Sequence, residues 1–522
     1  MSSEETLSPR ETYIFTLQEL SSFDWEEIID TNDKREEFIK DYLNLANTII
    51  EAIYNIKTKK LSQFVASALP SLLKSLDFVS WSLLNEDTQD PSADQARKIV
   101  DLLLTFIDSL SSRLPDNSSN LELCQTSKEE TSRLHYLLVY ILLQISEKYL
   151  GPTPFYFALQ YHMNNAPKYY TYDPPSVEVD ENSRLRLLRI LNLVNKIQLS
   201  LESLLVDSMN TTETEVSSDN DEPPLILSKK GIAILFASFF GIQNNPMFEK
   251  SPSFPSIAFN MAPDQTYKYL IEYGVLLLSS PEEKYQALYD KGLMILFHLV
   301  ANTKSEAISC DLLDDIFPIF HSSIMQVTQI IASFASLSPD ARARFLAYRI
   351  LSKHLFTMTS DLRAIILTEL LSNCPFDTMK SAAINLLKES VEQDFCSGKA
   401  LLFNSPALFH QFLPMILSRI VEHEGTFQES LHHIVYGGNF YLYLLIRDEE
   451  NQTGVRSESN IQYIRNKYLD PLAIEVQQFI AESSDNDKPM ENANQEHLLN
   501  CYSIENTLQR ITEIYKKLER TQ

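Results

Sequence analysis

The chain has 522 residues, of which 44% are hydrophobic and 22% are charged, a balance typical of globular proteins. Only 10 residues are glycine, so folds that need glycine in phosphate-binding turns or in hairpins are disfavoured, and an all-α chain is predicted. The net charge of −26 argues against nucleic acids and anionic membranes as partners, because both repel an acidic surface, and it favours basic proteins instead.

The N-terminal residues 1–15 are polar and acidic, and we expect them to be loosely ordered and to carry no secretory signal or transit peptide. The five cysteines are scattered and form no CxxC pair, which indicates a reducing compartment. The longest apolar runs are too short to span a bilayer. We therefore expect a cytoplasmic protein, with the nucleus as a second location.

The first half of the chain is predicted to form an N-terminal helical domain at 1–207. Apolar residues recur at helical spacing in 33–57, and 132–149 is apolar on most of its sides, as expected of a central helix. The predicted helices of this half are 33–57, 61–84 with an interruption at Pro70, 93–114, 132–149 and 184–206. The connection 164–182 contains a cluster of tyrosines around Tyr169, which we interpret as a surface loop, with an aromatic patch for peptide docking as the alternative.

The segment 208–224 is predicted to be a disordered acidic linker and the main domain boundary. Asp207 and the residues after it up to Pro224 include six acidic residues and no lysine or arginine, so the segment cannot bury much apolar area. An inert linker is the simplest interpretation, and a phosphorylated or basic-partner-binding segment is the alternative.

The second half alternates helices with short breaks, and we interpret 225–482 as irregular HEAT-like helical repeats, an α-solenoid architecture. The predicted helices are 229–241, 264–279, 281–302, 311–336, 339–356, 361–373, 377–393, 405–422, 426–447 and 456–481. A polar linker at 483–496 precedes an amphipathic helix at 497–522, which we expect to cap the open end of the repeats.

Two stretches of the second half carry a family signature. The first runs from Arg363 to Glu389 and contains Cys374-Pro375-Phe376, and the second runs from Asn439 to Asp448 and continues to Gly454. Together they resemble the glomulin / YAP-binding protein family, and the second stretch is closer to the fungal YAP-binding branch. The resemblance covers roughly 340–455, and its apolar positions indicate packing rather than chemistry.

The resemblance implies a non-enzymatic regulatory scaffold. In the YAP-binding branch, such a protein binds a basic-leucine-zipper (bZIP) stress transcription factor and favours its activation in the oxidative stress response. The glomulin branch implies the alternative function, in which the C-terminal repeats cover the RING subunit of a cullin-RING ubiquitin ligase and block recruitment of the ubiquitin-conjugating enzyme.

The sequence contains none of the common catalytic, nucleotide-binding or metal-binding motifs, so we expect no enzyme activity, cofactor or metal. Between Ser338 and Glu389, seven basic and five acidic residues give a local charge of +2. Arg342, Arg349 and Lys353 recur at spacings of seven and four residues, near one helix face. They are the candidate partner-binding residues, and a solvated or internally salt-bridged face is the alternative.

The packing of the first family stretch can also be predicted. Five apolar residues at helical spacing are expected on the buried face of one helix, namely Leu362, Ile365, Ile366, Leu370 and Leu371. Cys374 follows that helix at a tight break, where we expect a buried thiol rather than a redox sensor.

Overall fold

The computed structural model describes residues 7–30, 35–85, 92–114, 128–159, 181–210, 225–244, 259–279, 286–313, 323–398, 401–421, 427–484 and 492–521. In these ranges the backbone is helical almost throughout, and its β contact is one isolated parallel bridge between Ile308 and Met358. The predicted all-α class is therefore confirmed. None of the helices in these ranges combines the length and the hydropathy that a membrane span requires.

The described residues pack into two compact units, one ending at Asn302 and the other beginning at Thr303. The first unit contains twelve α-helices with both ends described. They are α1 (Pro9–Ser21), α2 (Trp25–Asp30), α3 (Arg35–Asn55), α4 (Leu61–Leu73), α5 (Ser75–Leu84), α6 (Ser92–Ser111), α7 (Lys128–Ile145), α8 (Glu181–Lys196), α9 (Leu201–Asn210), α10 (Lys229–Gln243), α11 (Pro263–Leu278) and α12 (Gln286–Asn302).

Helix α1 corrects the prediction that residues 1–15 are loose. The Ser8 hydroxyl accepts the Glu11 backbone N–H while the Glu11 carboxylate accepts the Ser8 N–H, and Pro9 occupies the first turn. This capping box satisfies amide groups that otherwise lack partners at a helix start, so the helix begins at Pro9. Tyr13 and Leu20 bury its inner face. Residues 1–6 lie outside the described ranges.

The predicted helix 184–206 is two helices, α8 and α9, and that prediction was wrong. The break falls at 197–200, where Gln198 has a φ of +56° that a helix cannot accommodate. Leu187 and Leu191 before the break and Leu201 and Leu205 after it are all buried. The apolar periodicity therefore continues in both helices and concealed the break.

Two glycines allow α11 and α12 to pack closely. A Cβ on Gly274 would lie 2.7 Å from the Leu296 side chain, and a Cβ on Gly292 would lie 2.9 Å from the Gly274 carbonyl oxygen. Such distances are below van der Waals contact, so only glycine permits this approach. The few glycines of this chain thus include two that serve helix packing.

The second unit contains nine α-helices with both ends described. They are α13 (Ile324–Leu337), α14 (Ala341–Phe356), α15 (Ser360–Ser372), α16 (Asp377–Ser397), α17 (Leu413–Val421), α18 (Phe427–Arg447), α19 (Glu458–Ile464), α20 (Asp470–Ser484) and α21 (Asn492–Thr521). They pack as successive pairs, α13 with α14, α15 with α16, α17 with α18 and α20 with α21. The second helices of these pairs also meet, since α16 packs on α18 and α18 on α21, which is the predicted HEAT-like arrangement.

Two predicted helix boundaries in this unit were wrong. The predicted helix 311–336 begins only at Ile324, after a 3₁₀ turn at Cys310–Leu313, and the Ser323 side chain caps it together with Gln326. The last helix begins at Asn492, five residues before the predicted start. It buries Ile504, Ile511 and Tyr515 against its neighbours, while its role as a terminal cap stays a prediction.

The predicted division at 208–224 also stays a prediction, because 211–224 lies outside the described residues. The helices on either side of it, α9 and α10, both belong to the first unit. The tyrosine cluster around Tyr169 lies outside the described residues as well.

Candidate protein-docking site

Arg363, in the first family stretch, fixes the α14–α15 turn against α16. Its side chain is fully buried and donates hydrogen bonds to the carbonyl oxygens of Leu355 (3.0 Å) and Met358 (2.9 Å) and to the Gln393 amide oxygen (2.8 Å). Burial lowers the pKa of the guanidinium, whose planar donors still match three acceptors at once. Arg363 is therefore a structural residue that positions α16.

Four of the seven basic residues counted between Ser338 and Glu389 have such internal contacts. Besides Arg363, Arg344 donates to the Ser338 carbonyl oxygen (2.6 Å), and the buried Lys380 lies 3.5 Å from an Asp377 carboxylate oxygen. Arg342, a predicted partner-binding residue, lies at the first turn of α14 with its Nε 3.2 Å from the Asp340 carboxylate. Its charge is thus offset by the residue that caps its own helix.

The other two predicted binding residues, Arg349 and Lys353, lie one turn apart on α14 and are both half-buried. Burial lowers the pKa of Lys353, and the nearby Arg349 guanidinium lowers it further. Two like charges at this spacing repel each other and destabilise a helix unless an anion lies nearby. The structure thus places two of the three predicted residues together, on the part of α14 that approaches α16.

Helices α14 and α16 meet through Ser352, whose hydroxyl donates to the Glu389 carboxylate (2.5 Å). Tyr348 lies one turn before Ser352, and its pKa is raised first by burial and then by Glu389 and by Tyr436 of α18. Arg349 acts in the opposite direction on the same hydroxyl. Side chains of three helices therefore converge around Tyr348.

A second set of contacts joins α16 to α18. The Tyr443 hydroxyl donates to the Glu392 carboxylate, and the Arg447 Nε lies 3.4 Å from the same carboxylate. The Lys388 ammonium lies 4.8 Å from the centre of the Tyr443 ring, and the Arg447 guanidinium lies 5.4 Å from that of Phe395. Lys388 belongs to the first family stretch, and Tyr443 and Arg447 belong to the second. The two stretches thus meet at the surface.

The protonation of this cluster follows from its contacts. The hydrogen bond from Tyr443 and the neighbouring Arg447 guanidinium lower the pKa of Glu392, so this carboxylate stays charged near neutral pH. The pKa of Tyr443 is raised by burial and by Glu392, so the phenol stays protonated. The charged Glu392 carboxylate therefore holds the side chains of Tyr443 and Arg447 in position.

The loop after α18 is fixed by its own hydrogen bonds. The Asp448 carboxylate is buried and accepts hydrogen bonds from the Gln452 N–H (2.7 Å), the Thr453 N–H (2.8 Å) and the Thr453 hydroxyl (2.6 Å). The Arg456 guanidinium donates to the Leu445 carbonyl oxygen at the end of α18. Gly454 has a φ of +81°, which favours glycine. The Asp448–Gly454 part of the second family stretch is therefore an ordered helix stop.

These contacts define one surface, which we name the α14–α16–α18 face. Its charged residues are the cations Arg349, Lys353, Lys388 and Arg447 and the carboxylates Glu389 and Glu392, a sum of +2 in a chain of −26. Tyr348 lies near Glu389 and Tyr436, and the Tyr443 ring contacts Lys388. Tyrosine and arginine are enriched at surfaces that bind proteins.

Two cysteines of the second unit, Cys374 and Cys396, differ in exposure. Cys374 is buried, as predicted, and burial raises the pKa of its thiol, which disfavours the reactive thiolate. Cys396 is exposed at the end of α16, with its Sγ 3.9 Å from an Arg447 nitrogen. In the described part of the chain, no three His, Cys, Asp or Glu side chains are placed to share a metal ion.

Comparison with known proteins identifies the family. Residues 8–514 match the model of the family described as "Uncharacterised protein family, YAP/Alf4/glomulin". The chain belongs to the YAP/Alf4/glomulin family. A comparison with curated proteins gave no match. The match extends the family assignment from the stretch 340–455 to almost the whole chain, and it agrees with a protein-binding adaptor rather than with a particular partner.

The cluster at Lys388, Glu392, Tyr443 and Arg447 was not predicted from the sequence of this family member. A signal was present, because Lys388 and Glu392, and likewise Tyr443 and Arg447, are four residues apart and so share a helix face. What the sequence lacked was the adjacency of α16 and α18, which are separated by α17.

Proposed function

We propose that this YAP/Alf4/glomulin protein is a non-enzymatic adaptor that binds a bZIP stress transcription factor and promotes its activation in the oxidative stress response. The supporting observation is that the two family stretches, one of which resembles the YAP-binding branch, bring exposed charged and aromatic residues together on the α14–α16–α18 face. A buried motif serves only the fold, whereas exposed motif residues require another explanation, and partner binding supplies one.

The predicted residues Arg349 and Lys353 belong to this proposed docking surface, and Lys388 and Arg447 extend it. Arg342 contributes less, because its guanidinium is bonded to Asp340. We place the protein in the cytoplasm and also in the nucleus, where such a factor acts.

The experiment is affinity purification of the tagged chain from peroxide-treated and untreated cells, followed by mass spectrometry. The proposal expects enrichment of a bZIP factor. Enrichment of a RING subunit with its cullin, and of no bZIP factor, would instead support the glomulin-like inhibitor of a cullin-RING ubiquitin ligase. These partners share no subunits, so the measurement separates the two functions.

A further inference from the structure

The charge of the α14–α16–α18 face conflicts with the simplest idea of how a bZIP factor binds. A chain of −26 attracts the basic DNA-binding region of such a factor over its general surface. The face, however, carries four cations and two carboxylates, and a basic segment placed on it meets like charges. The face is therefore suited to a part of the partner other than its basic region.

Two cations of the face are available to an anionic ligand. Among the described residues, neither Arg349 nor Lys388 has a carboxylate within ion-pair distance. Lys388 is exposed and contacts the Tyr443 ring, and Arg349 is half-buried beside Lys353. Glu389 and Glu392 accept hydrogen bonds from Ser352 and Tyr443, and neither carboxylate lies within ion-pair distance of Arg349 or Lys388.

Tyrosine rings lie beside both cations, with Tyr348 near Arg349 and Tyr443 in contact with Lys388. The rings of Tyr348 and Tyr443 are partly buried, and Tyr436 is 37% exposed. A matching ligand therefore needs carboxylates with apolar side chains between them. Acidic and hydrophobic residues alternate in this way in the disordered activation segments of transcription factors.

We propose that the α14–α16–α18 face binds an extended acidic segment of the partner, in which carboxylates alternate with apolar side chains, and not the partner's basic DNA-binding region. The inference rests on the proposed adaptor function, for which it specifies the part of the partner that is recognised.

The limits of the site also follow from charge. Beside Tyr436, a cavity of about 290 Å³ opens between α16 and α18, and its lining includes Asp377 and Glu429. Those carboxylates disfavour an acidic ligand, so the segment should remain on the Arg349–Lys388–Arg447 side of the face.

The test uses the purified full chain and fluorescently labelled synthetic peptides of equal length, measured by fluorescence anisotropy. One peptide alternates Glu with Leu, a second alternates Gln with Leu and a third alternates Lys with Leu. We expect the Glu–Leu peptide to bind more tightly than the Gln–Leu peptide. The variant Arg349→Glu/Lys388→Glu should weaken Glu–Leu binding by about tenfold, since it replaces two attractions by two repulsions.

The control variant Lys516→Glu changes an exposed lysine on α21 of the same unit and should leave binding unchanged. If the double variant is unstable, Arg349→Gln/Lys388→Gln removes the charges without adding repulsion, and raising the salt concentration screens them in the wild-type chain. Equal binding of the Glu–Leu and Gln–Leu peptides would overturn the inference, as would Glu–Leu binding that a folded double variant retains. Because no transcription factor is present, failure here leaves the affinity-purification test of the adaptor function unaffected.

Discussion

At the scale of single residues, buried polar side chains hold the second unit together. Arg363 donates hydrogen bonds to three acceptors around the α14–α15 turn. Its guanidinium carbon also lies 5.1 Å from the centre of the Phe356 ring. If this side chain is removed, buried carbonyl oxygens are left without donors, which costs more than the bonds themselves contribute.

We predict that Arg363→Met lowers the free energy of unfolding by about 3 kcal/mol, because methionine fills much of the volume but donates no hydrogen bond. Arg363→Lys should also destabilise, since an ammonium group cannot reproduce the planar fork. The measurement is urea denaturation followed by circular dichroism, with the exposed Arg510→Met as the matched control. A loss no greater than that of the control would show that Arg363 does not fix the turn.

His354 gives the second unit a pH dependence. Its side chain is fully buried on α14, its Nε2 lies 3.4 Å from the Thr328 hydroxyl oxygen, and burial lowers its pKa from 6.5 to about 4. Between these values the unfolded chain binds a proton that the folded chain does not. Stability contributed by neutral His354 is therefore present at neutral pH and is lost as pH falls from 6.5 towards 4.

Replacing the titrating ring should remove this contribution. Between pH 7 and pH 4.5, we predict that the free energy of unfolding falls by about 2 kcal/mol less in His354→Gln than in the wild type. The difference arises because the pKa of His354 is lower in the folded chain than in the unfolded chain. Urea denaturation at both pH values gives the comparison. Superimposable pH profiles for the two chains would contradict the assignment of a neutral buried histidine.

At the scale of helices, α15 shows which buried positions sequence periodicity predicts correctly and which it does not. Four of its five predicted inward residues are buried, but Ile365 is 42% exposed, so its placement on the buried face was wrong. At 100° per residue, these five positions span roughly 240° of the helix circumference, which is wider than one face. One edge of the set had to be exposed, and only the neighbouring helices determine which.

The pair Leu370 and Ile365 therefore provides a matched test on one helix. Leu370 is 3% exposed, and Leu370→Asp buries a charge without a partner, at a cost comparable to the whole stability of a domain. We predict that Leu370→Asp abolishes the thermal transition of the second unit, while Ile365→Asp shifts the melting temperature only slightly. Similar melting of the two variants would mean that the orientation of α15 is wrong.

The site could be predicted only within single helices. The spacing of Arg349 and Lys353 indicated a shared helix face, and in the structure the two side chains are neighbours on α14. The contacts of Arg342 with Asp340, and those between Glu392 and Arg447, depend on side-chain rotamers and on which helices become neighbours. Sequence periodicity contains neither kind of information.

At the scale of the whole molecule, buried charges tie the helices after the acidic segment to those before it. On α12, Lys291 donates to the carbonyl oxygens of Gly151 (3.2 Å) and Thr153 (2.8 Å). The neighbouring Asp290 accepts the backbone N–H of Ala158 (3.1 Å). Burial raises the pKa of this carboxyl and lowers that of the lysine, while the opposite charge of each partner partly offsets both shifts. The first unit thus continues across the predicted linker.

A protease site inserted between residues 211 and 224 tests this continuity. The acidic, apolar-poor segment is predicted to be dispensable for folding, so cleavage should leave the melting temperature nearly unchanged. The two fragments should nevertheless elute together in size-exclusion chromatography, because α10, which follows the cleaved segment, packs on α7, which precedes it. Separate elution of two folded fragments would instead make 208–224 a true domain boundary.

The central claim is that this family member acts by binding a protein through the α14–α16–α18 face. Its most direct test is quantitative affinity purification of the wild type, Arg349→Glu/Lys388→Glu and Lys516→Glu from the same cells, with melting curves measured in parallel. We predict that the wild type and Lys516→Glu recover equal amounts of a bZIP factor, and that the double variant recovers about tenfold less while melting normally. Equal recovery by all three folded chains would contradict the claim and place the docking surface elsewhere on the molecule.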